Sequence, residues 1–207
     1  MLDKLELIID PDKTWVVSDT HFHHFKLCKN CPEHFDNCRK YYTIKEMDDD
    51  IVNRWNEFIR RDDLVIFCGD FLMNTRASES YNEFWRLLNM LNGDNIIFIK
   101  GNHDHIIEKK VKEIKFVDYV IAECEHKKKL FIQHKDFDEN SYFLNNEIKE
   151  GLNKDDCILI HGHTHSTIAW RSSVIFQQQM YNVCWDVDYR PFKVSEFFNQ
   201  PFAQGIQ

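Results

Sequence analysis

The stretch Leu64-Val65-Ile66-Phe67-Cys68-Gly69-Asp70 decides how this chain is read. Its five apolar residues, rich in β-branched and aromatic side chains, are too few for a helix. They do not alternate with polar residues, so they predict a strand covered on both faces. The run stops at a glycine followed by an acid. Four other segments repeat the plan: Trp15-Val16-Val17 before Asp19 and His21, Ile96-Ile97-Phe98-Ile99 before Gly101-Asn102-His103-Asp104, Leu130-Phe131-Ile132 before His134, and Cys157-Ile158-Leu159-Ile160 before His161-Gly162-His163-Thr164-His165. Functional groups gather at the carboxyl ends of strands in α/β sheets, and neighbouring strands lie about 4.8 Å apart, so these side chains can converge.

Helical patterns lie between the strands. Thr43-Ile44-Lys45-Glu46 is a capping box, in which the Thr hydroxyl serves a free N–H and the Glu reaches back. Met47, Ile51, Val52, Trp55, Phe58 and Ile59 follow at helical spacing. A second helix is expected from near Ser78, carrying Tyr81, Phe84, Trp85, Leu88 and Leu91 and stopping at Asn92-Gly93. A third is expected after Asn140, ending near Gly151. Strands alternating with helices give an α/β class. One domain over residues 1–207 is expected, with a core from about 15 to 197 and a loose tail at 199–207.

Composition narrows the function classes. With 43% apolar and 14% aromatic residues, wholesale disorder is excluded. The balance of 26 Lys+Arg against 34 Asp+Glu, net −8, argues against stable polynucleotide binding but leaves a nucleotide substrate open, since metals supply positive charge locally. The run Lys127-Lys128-Lys129 beside His126 is too short to change that. Seven cysteines, an odd number, and an acidic start without an apolar leader imply free thiols in a reducing, cytoplasmic compartment. No apolar run approaches the roughly 20 residues that span a bilayer, so no membrane association is expected.

The strand-end residues are histidines and aspartates with one asparagine carbonyl. This mixed N/O set suits Mn, with Fe, Zn, Co or Ni as alternatives, over a thiolate-bound metal. In extended backbone, residues two apart share a side, which would let Asp19 and His21, or His163 and His165, meet one metal or two adjacent ones. Gly69, Gly101 and Gly162 are expected where backbone passes close to such a site.

The ordered motifs Asp19-x-His21, Gly69-Asp70, Gly101-Asn102-His103-Asp104, His134 and Gly162-His163-x-His165 resemble those of the calcineurin-like metallophosphoesterases. Asp19-Thr20-His21-Phe22-x-His24, Met47-Asp48, Trp55-Asn56, Gly69-Asp70-Phe71 and Asn182-Val183-x-x-Asp186 with Arg190-Pro191 are similar to the small single-domain bacterial and phage-type members. The resemblance implies a four-layer αββα sandwich of two mixed β-sheets flanked by helices, with a site for two divalent metals. It implies that Asp19, His21 and His165 bind one metal, that Asn102, His134 and His163 bind the other, and that Asp70 bridges them. It makes His103 the group beside the leaving oxygen, with Asp104 orienting its ring. The activity implied is phosphoester hydrolysis through a metal-bridging hydroxide. A phosphodiesterase acting on a nucleotide or small organic phosphodiester is preferred; monoesterase, nuclease and inactive scaffold are the alternatives. Relatives usually have Gly in place of His23, Asn in place of Lys26 and Gly in place of Cys184.

Other residues compete for attention. His24, His23 and Lys26 are candidates to line the site or meet substrate. Cys28-x-x-Cys31-x-x-His34-x-x-x-Cys38 offers four soft ligands within eleven residues, a candidate structural zinc site; free thiols in a loop are the simpler reading. Trp170 and Trp185 are expected in the core or at the site rim, and Cys68 and Cys157 in the core.

Overall fold

The computed structural model describes residues 3–73, 79–125, 128–138, 141–173 and 178–199. Of the expectations above, Ser78, His126, Lys127, Asn140, the Trp170 side chain and the tail beyond 199 lie outside the described residues.

The strands in chain order are β1 (Lys4–Ile9), β2 (Thr14–Val17), β3 (Leu64–Phe67), β4 (Asn95–Ile99), β5 (Phe116–Val117), β6 (Tyr119–Cys124), β7 (Lys129–Gln133), β8 (Cys157–His161), β9 (Trp170–Ser173), β10 (Gln178–Asn182) and β11 (Phe192–Lys193). The helices are α1 (Ile44–Phe58), α2 (Ser80–Leu88), α3 (His105–Lys110), α4 (Tyr142–Lys149), α5 (Trp185–Asp188) and α6 (Val194–Asn199). One sheet has the order β11-β2-β3-β4-β5, the other β1-β6-β7-β8-β10-β9. In the first, β2 to β5 are parallel and β11 is antiparallel. The second is parallel at β1/β6, β7/β8 and β8/β10, and antiparallel at β6/β7 and β9/β10.

The apolar runs split residue by residue between the two faces of each sheet. Val16, Ile66 and Ile99 from the first sheet meet Val120, Leu130, Ile132, Ile158 and Ile160 from the second. Their neighbours Val17, Val65, Phe67 and Phe98 face away, against Met47, Ile51 and Trp55 of α1 and Phe84 of α2. On the outer face of the second sheet, Tyr119, Phe131 and Leu159 pack with Leu144 of α4. Helices, sheet, sheet and helix make the expected four layers. Each such buried side chain contributes about 1.5–3 kcal/mol.

The helix signals are present with two changes: α2 ends at Leu88, short of Leu91 and of the expected stop at Asn92-Gly93, and the capping box is altered. Thr43 Oγ accepts from the Glu46 amide at 3.1 Å, as a cap should. Glu46 Oε2, however, accepts from the amide of Tyr42 at 2.8 Å, not from that of Thr43. Trp185 is fully buried against the α1–α3 layer, and Cys68 and Cys157 are buried. All five runs that end in candidate ligands are strands (β2, β3, β4, β7, β8), and their carboxyl ends open toward one place.

Candidate metal centre

Sharp turns after β2 and β3 lie side by side. The amide of Asp19 donates to the carbonyl of Gly69 at 2.9 Å, and that of His21 to the carbonyl of Asp70 at 3.1 Å. The Gly162 amide donates to the His134 carbonyl at 2.9 Å, and Ser18 and Cys184 form a bridge between the two sheets' ends. The ligand candidates therefore come from both sheets but share one stitched loop cluster.

Two groups of side chains converge. In the first, Asp19, His21 and His165 bring their ligand atoms within 4.8 Å of one another, and in the second Asp70, His134 and His163 do so. His21 Nε2 lies 3.1 Å from His165 Nε2 and 3.5 Å from Asp19 Oδ1. Asn102 Oδ1 joins the second group, 3.0 Å from His134 Nε2. Asp70 Oδ2 stands between the groups, 3.3 Å from His134 Nε2 and 3.6 Å from His21 Nε2.

Each carboxylate divides its two oxygens. Asp19 Oδ2 accepts from the Ser18 hydroxyl, the His163 amide at 2.8 Å and the Cys184 thiol at 3.2 Å. Its Oδ1 is buried with no hydrogen-bond partner. Asp70 Oδ1 accepts from the His103 amide at 2.8 Å, leaving Oδ2 to face both groups. A buried carboxylate oxygen without a donor is costly, and a cation beside it resolves the cost. This orphaned oxygen, among convergent imidazole nitrogens, fits divalent metal ions.

The electrostatics agree. Burial pushes the Asp19 and Asp70 carboxyls up, but the imidazoles beside them, His21 and His134, outweigh it and hold both below the ordinary range. Burial lowers His134, yet Asp70 and the charge of Asp19 prevail and raise it to about 9. His165 is raised against burial by Asp186 and Asp19, whereas burial holds His21 and His163 below the ordinary range, so some imidazoles of the cluster favour positive charge and others present neutral nitrogens, the form that binds a metal. His134 Nδ1 donates to the Cys68 carbonyl at 2.8 Å, which aims Nε2 at the centre.

The backbone differs from the expected extended geometry. Asp19 (φ 57°), His21 (φ 47°), Asp70 (φ 62°), His163 (φ 70°) and His165 (φ 49°) are left-handed. Residues two apart meet because two left-handed positions flank one ordinary residue, not because a strand continues. Each costs about 1–2 kcal/mol, and Asp and His are among the residues that best tolerate it. Gly69 is also left-handed, at φ 90°, and a Cβ there would lie 2.5 Å from His134 Nδ1. At Gly101 and Gly162 the obstruction is Asp70 and the Ser18-Asp19 pair, so these glycines make room for ligand side chains and their backbone.

Three sequence assignments change. Asp104 does not orient His103: its carboxylate accepts from the amides of Asp70 (2.8 Å), Phe71 (3.1 Å) and Gly101 (2.9 Å), fixing the turn that presents Asp70. Burial, then the charge of Asp70, pushes it up to about 6. Lys26 pairs with Glu33 at 3.2 Å inside its own loop. His23 is bound to Asp48 of α1 (2.7 Å) and Glu83 of α2 (2.5 Å), a tie between helices. His24 does face the site: its ring is 5.4 Å from that of His21, and Phe35 packs on it. His103 places its ring 5.3 Å from that of His21.

Cys28, Cys31, His34 and Cys38 form no metal-competent group among the described residues. Cys28 is buried in the helix-side core, and His34 Nδ1 faces the Phe35 carbonyl at 3.0 Å. The loop is organised around Arg39, which sequence reasoning missed. Arg39 is buried and pairs through Nε and Nη2 with both oxygens of Asp186, while Nη1 and Nη2 donate to the carbonyls of Thr20 (2.7 Å) and Asp19 (2.6 Å). Asp186 Oδ2 in turn accepts from His165 Nδ1 at 2.8 Å. The signal for Asp186 was its motif with Asn182; Arg39 gave none, being one charge among cysteines.

Two mixed sheets that gather paired Asp–His sets at their strand ends define a metallophosphoesterase architecture. The family model described as calcineurin-like phosphoesterase matches residues 13–179, and the chain belongs to that family of phosphoric ester hydrolases. An uncharacterized protein of Methanocaldococcus jannaschii is 32% identical over 154 residues, 74% of this chain and 70% of that protein. A crystal structure of a protein of unknown function from Aquifex aeolicus covers 89% of this chain and 97% of its own at 24% identity, with a TM-score of 0.59, a likeness of fold. Among the described residues no helix is long and apolar enough to cross a membrane.

Proposed function

We propose that the protein is a phosphodiesterase that uses two divalent cations, Mn by preference, to hydrolyse a nucleotide or small organic phosphodiester. The observation that carries this reading is Asp70 Oδ2 standing between two histidine-rich groups while Asp19 Oδ1 lies buried and unpartnered. Asp19, His21 and His165 would hold one cation and Asn102, His134 and His163 the other, with Asp70 shared between them. When bound, such a pair polarises a phosphoryl oxygen and lowers the pKa of water. The chain's own residues do the rest. Asn102 and His163, both exposed, leave the second position open to an incoming diester. His103, tethered through its amide to Asp70 Oδ1, sets its ring beside the leaving oxygen, where a ring nitrogen supplies a proton. Water adds across one P–O bond, giving a phosphomonoester and an alcohol. The cysteine usage supports placing this activity in the cytoplasm.

Hydrolysis of bis-p-nitrophenyl phosphate with added Mn²⁺ tests the reading. Turnover should depend on metal and fall at least about 10³-fold in Asp70→Asn, as the loss of several kcal/mol of charge stabilisation implies. Turnover that survives chelation, or full activity in Asp70→Asn, would sink it.

A further inference from the structure

A cleft of about 710 Å³ opens beside the second ligand group, and Asn102, His134 and His163 form part of its wall. Its size is within the roughly 300–1,000 Å³ of small-molecule sites. A phosphate held at those residues has this cleft as a neighbouring space for its organic substituent. The same cleft is lined by Tyr142, which is 63% exposed at the start of α4, with Phe143 next to it and the two rings 5.9 Å apart. An exposed aromatic side chain lining a cleft offers a stacking platform for a planar ring.

The charges of the wall limit what else can enter. Lys100 is held by Asp118 at 3.2 Å and Glu108 at 3.3 Å, so its charge is taken up within the protein. Asp136 and Asp138 also line the cleft, against one further lysine, Lys135. Carboxylates outnumber lysines there, so a second phosphate would meet net negative charge away from the metals.

We propose that the cleft beside His134 and His163 takes the nucleobase of a substrate with one phosphorus, stacked on Tyr142, so that mononucleoside phosphodiesters are preferred to ring-free diesters and to nucleotides with a second phosphate. This rests on the phosphodiesterase reading for the position of the phosphate, but it is tested by binding as well as by turnover.

The experiment is calorimetric titration, in Mn²⁺, of the full chain and of Tyr142→Leu with adenosine 5′-monophosphate, glycerol 2-phosphate and adenosine 3′,5′-bisphosphate. The nucleotide should bind the unaltered chain about tenfold more tightly than glycerol phosphate, the size of one base–aromatic stack. Tyr142→Leu should abolish that preference while leaving glycerol phosphate binding unchanged. The bisphosphate should bind no more tightly than the monophosphate. Equal affinity for the nucleotide and glycerol phosphate, a preference that survives Tyr142→Leu, or clearly tighter binding of the bisphosphate would each overturn the proposal. In parallel, the KM for a cyclic mononucleotide should rise about tenfold in Tyr142→Leu with kcat unchanged. Failure of the unaltered chain to hydrolyse any diester, with nucleotide binding as expected, would remove the phosphodiesterase reading and leave the cleft assignment standing.

Discussion

Arg39 and Asp186 form a buried two-point pair, Nε to Oδ1 at 2.8 Å and Nη2 to Oδ2 at 3.0 Å, and the same Oδ2 holds His165 Nδ1 at 2.8 Å. A loop that carries three cysteines thus reaches the first ligand group through one guanidinium. That guanidinium also ties down the carbonyls of Asp19 and Thr20, next to two left-handed ligands.

Lysine cannot reproduce a planar two-point contact. Arg39→Lys and Asp186→Asn should therefore each weaken the Asp19/His21/His165 position about 10–100-fold, the usual cost of losing an outer partner of a metal ligand. Metal analysis after dialysis should fall from two ions per chain toward one. Two tightly held ions in both variants would contradict the role given to this pair.

The glycines should separate cleanly. In Gly69→Ala the new methyl meets the His134 ring at a left-handed position, so metal binding should be lost and stability should drop by several kcal/mol. Gly151 is also left-handed, φ 107°, but a Cβ there has nothing within 4 Å. Gly151→Ala should cost only about 1 kcal/mol in urea unfolding and leave metal content intact.

His23 holds a left-handed backbone, φ 65°, and offsets that strain through Asp48 and Glu83. Alanine keeps the strain without the bonds; glycine loses both. His23→Gly should therefore be more stable than His23→Ala by about 1 kcal/mol, with equal metal stoichiometry. The reverse order in chemical denaturation would show that left-handed strain at this position is not what separates the two variants.

Asp50 fastens the far end of the Arg39 loop to α1, accepting from Tyr41 at 2.6 Å and Arg54 at 2.8 Å and pairing with Lys40 at 3.2 Å. Burial raises its carboxyl, but these three donors outweigh burial and lower it. A carboxyl lowered on folding adds stability above its unfolded pKa of about 3.9, and that stability is lost as pH falls through the folded value. The difference in Tm between the unaltered chain and Asp50→Asn should be constant above about pH 5 and shrink steadily below pH 4. A difference independent of pH would show that Asp50 does not titrate against these partners.

The five ligand-bearing strands were legible because burial on both faces leaves an uninterrupted apolar run, and because each run ended in residues with metal-binding atoms. The edge strands were not. β1 alternates between exposed and half-buried residues, and β11 is two residues long. β6 is as buried as β7 beside it, but no candidate ligand marks its end. The candidate metal-binding residues were legible as types and order, but not in conformation, since a left-handed φ at Asp19 or His163 leaves no trace in spacing. Asp104 and Arg39 show the larger gap. Sequence gives their charge but not its direction, and both turn inward to grip backbone amides or carbonyls.

The left-handed ligands have one further consequence. Their turns are gripped by protein groups, Arg39 at Asp19, Asp104 at Asp70 and Asp19 Oδ2 at His163, and none of these grips requires an ion. A cage held in this way should be built by folding and filled afterwards, unlike small zinc modules whose chain collapses around the metal. A chelated chain should therefore unfold in one cooperative step with nearly native circular dichroism, and ions should enter a vessel whose dimensions are already set.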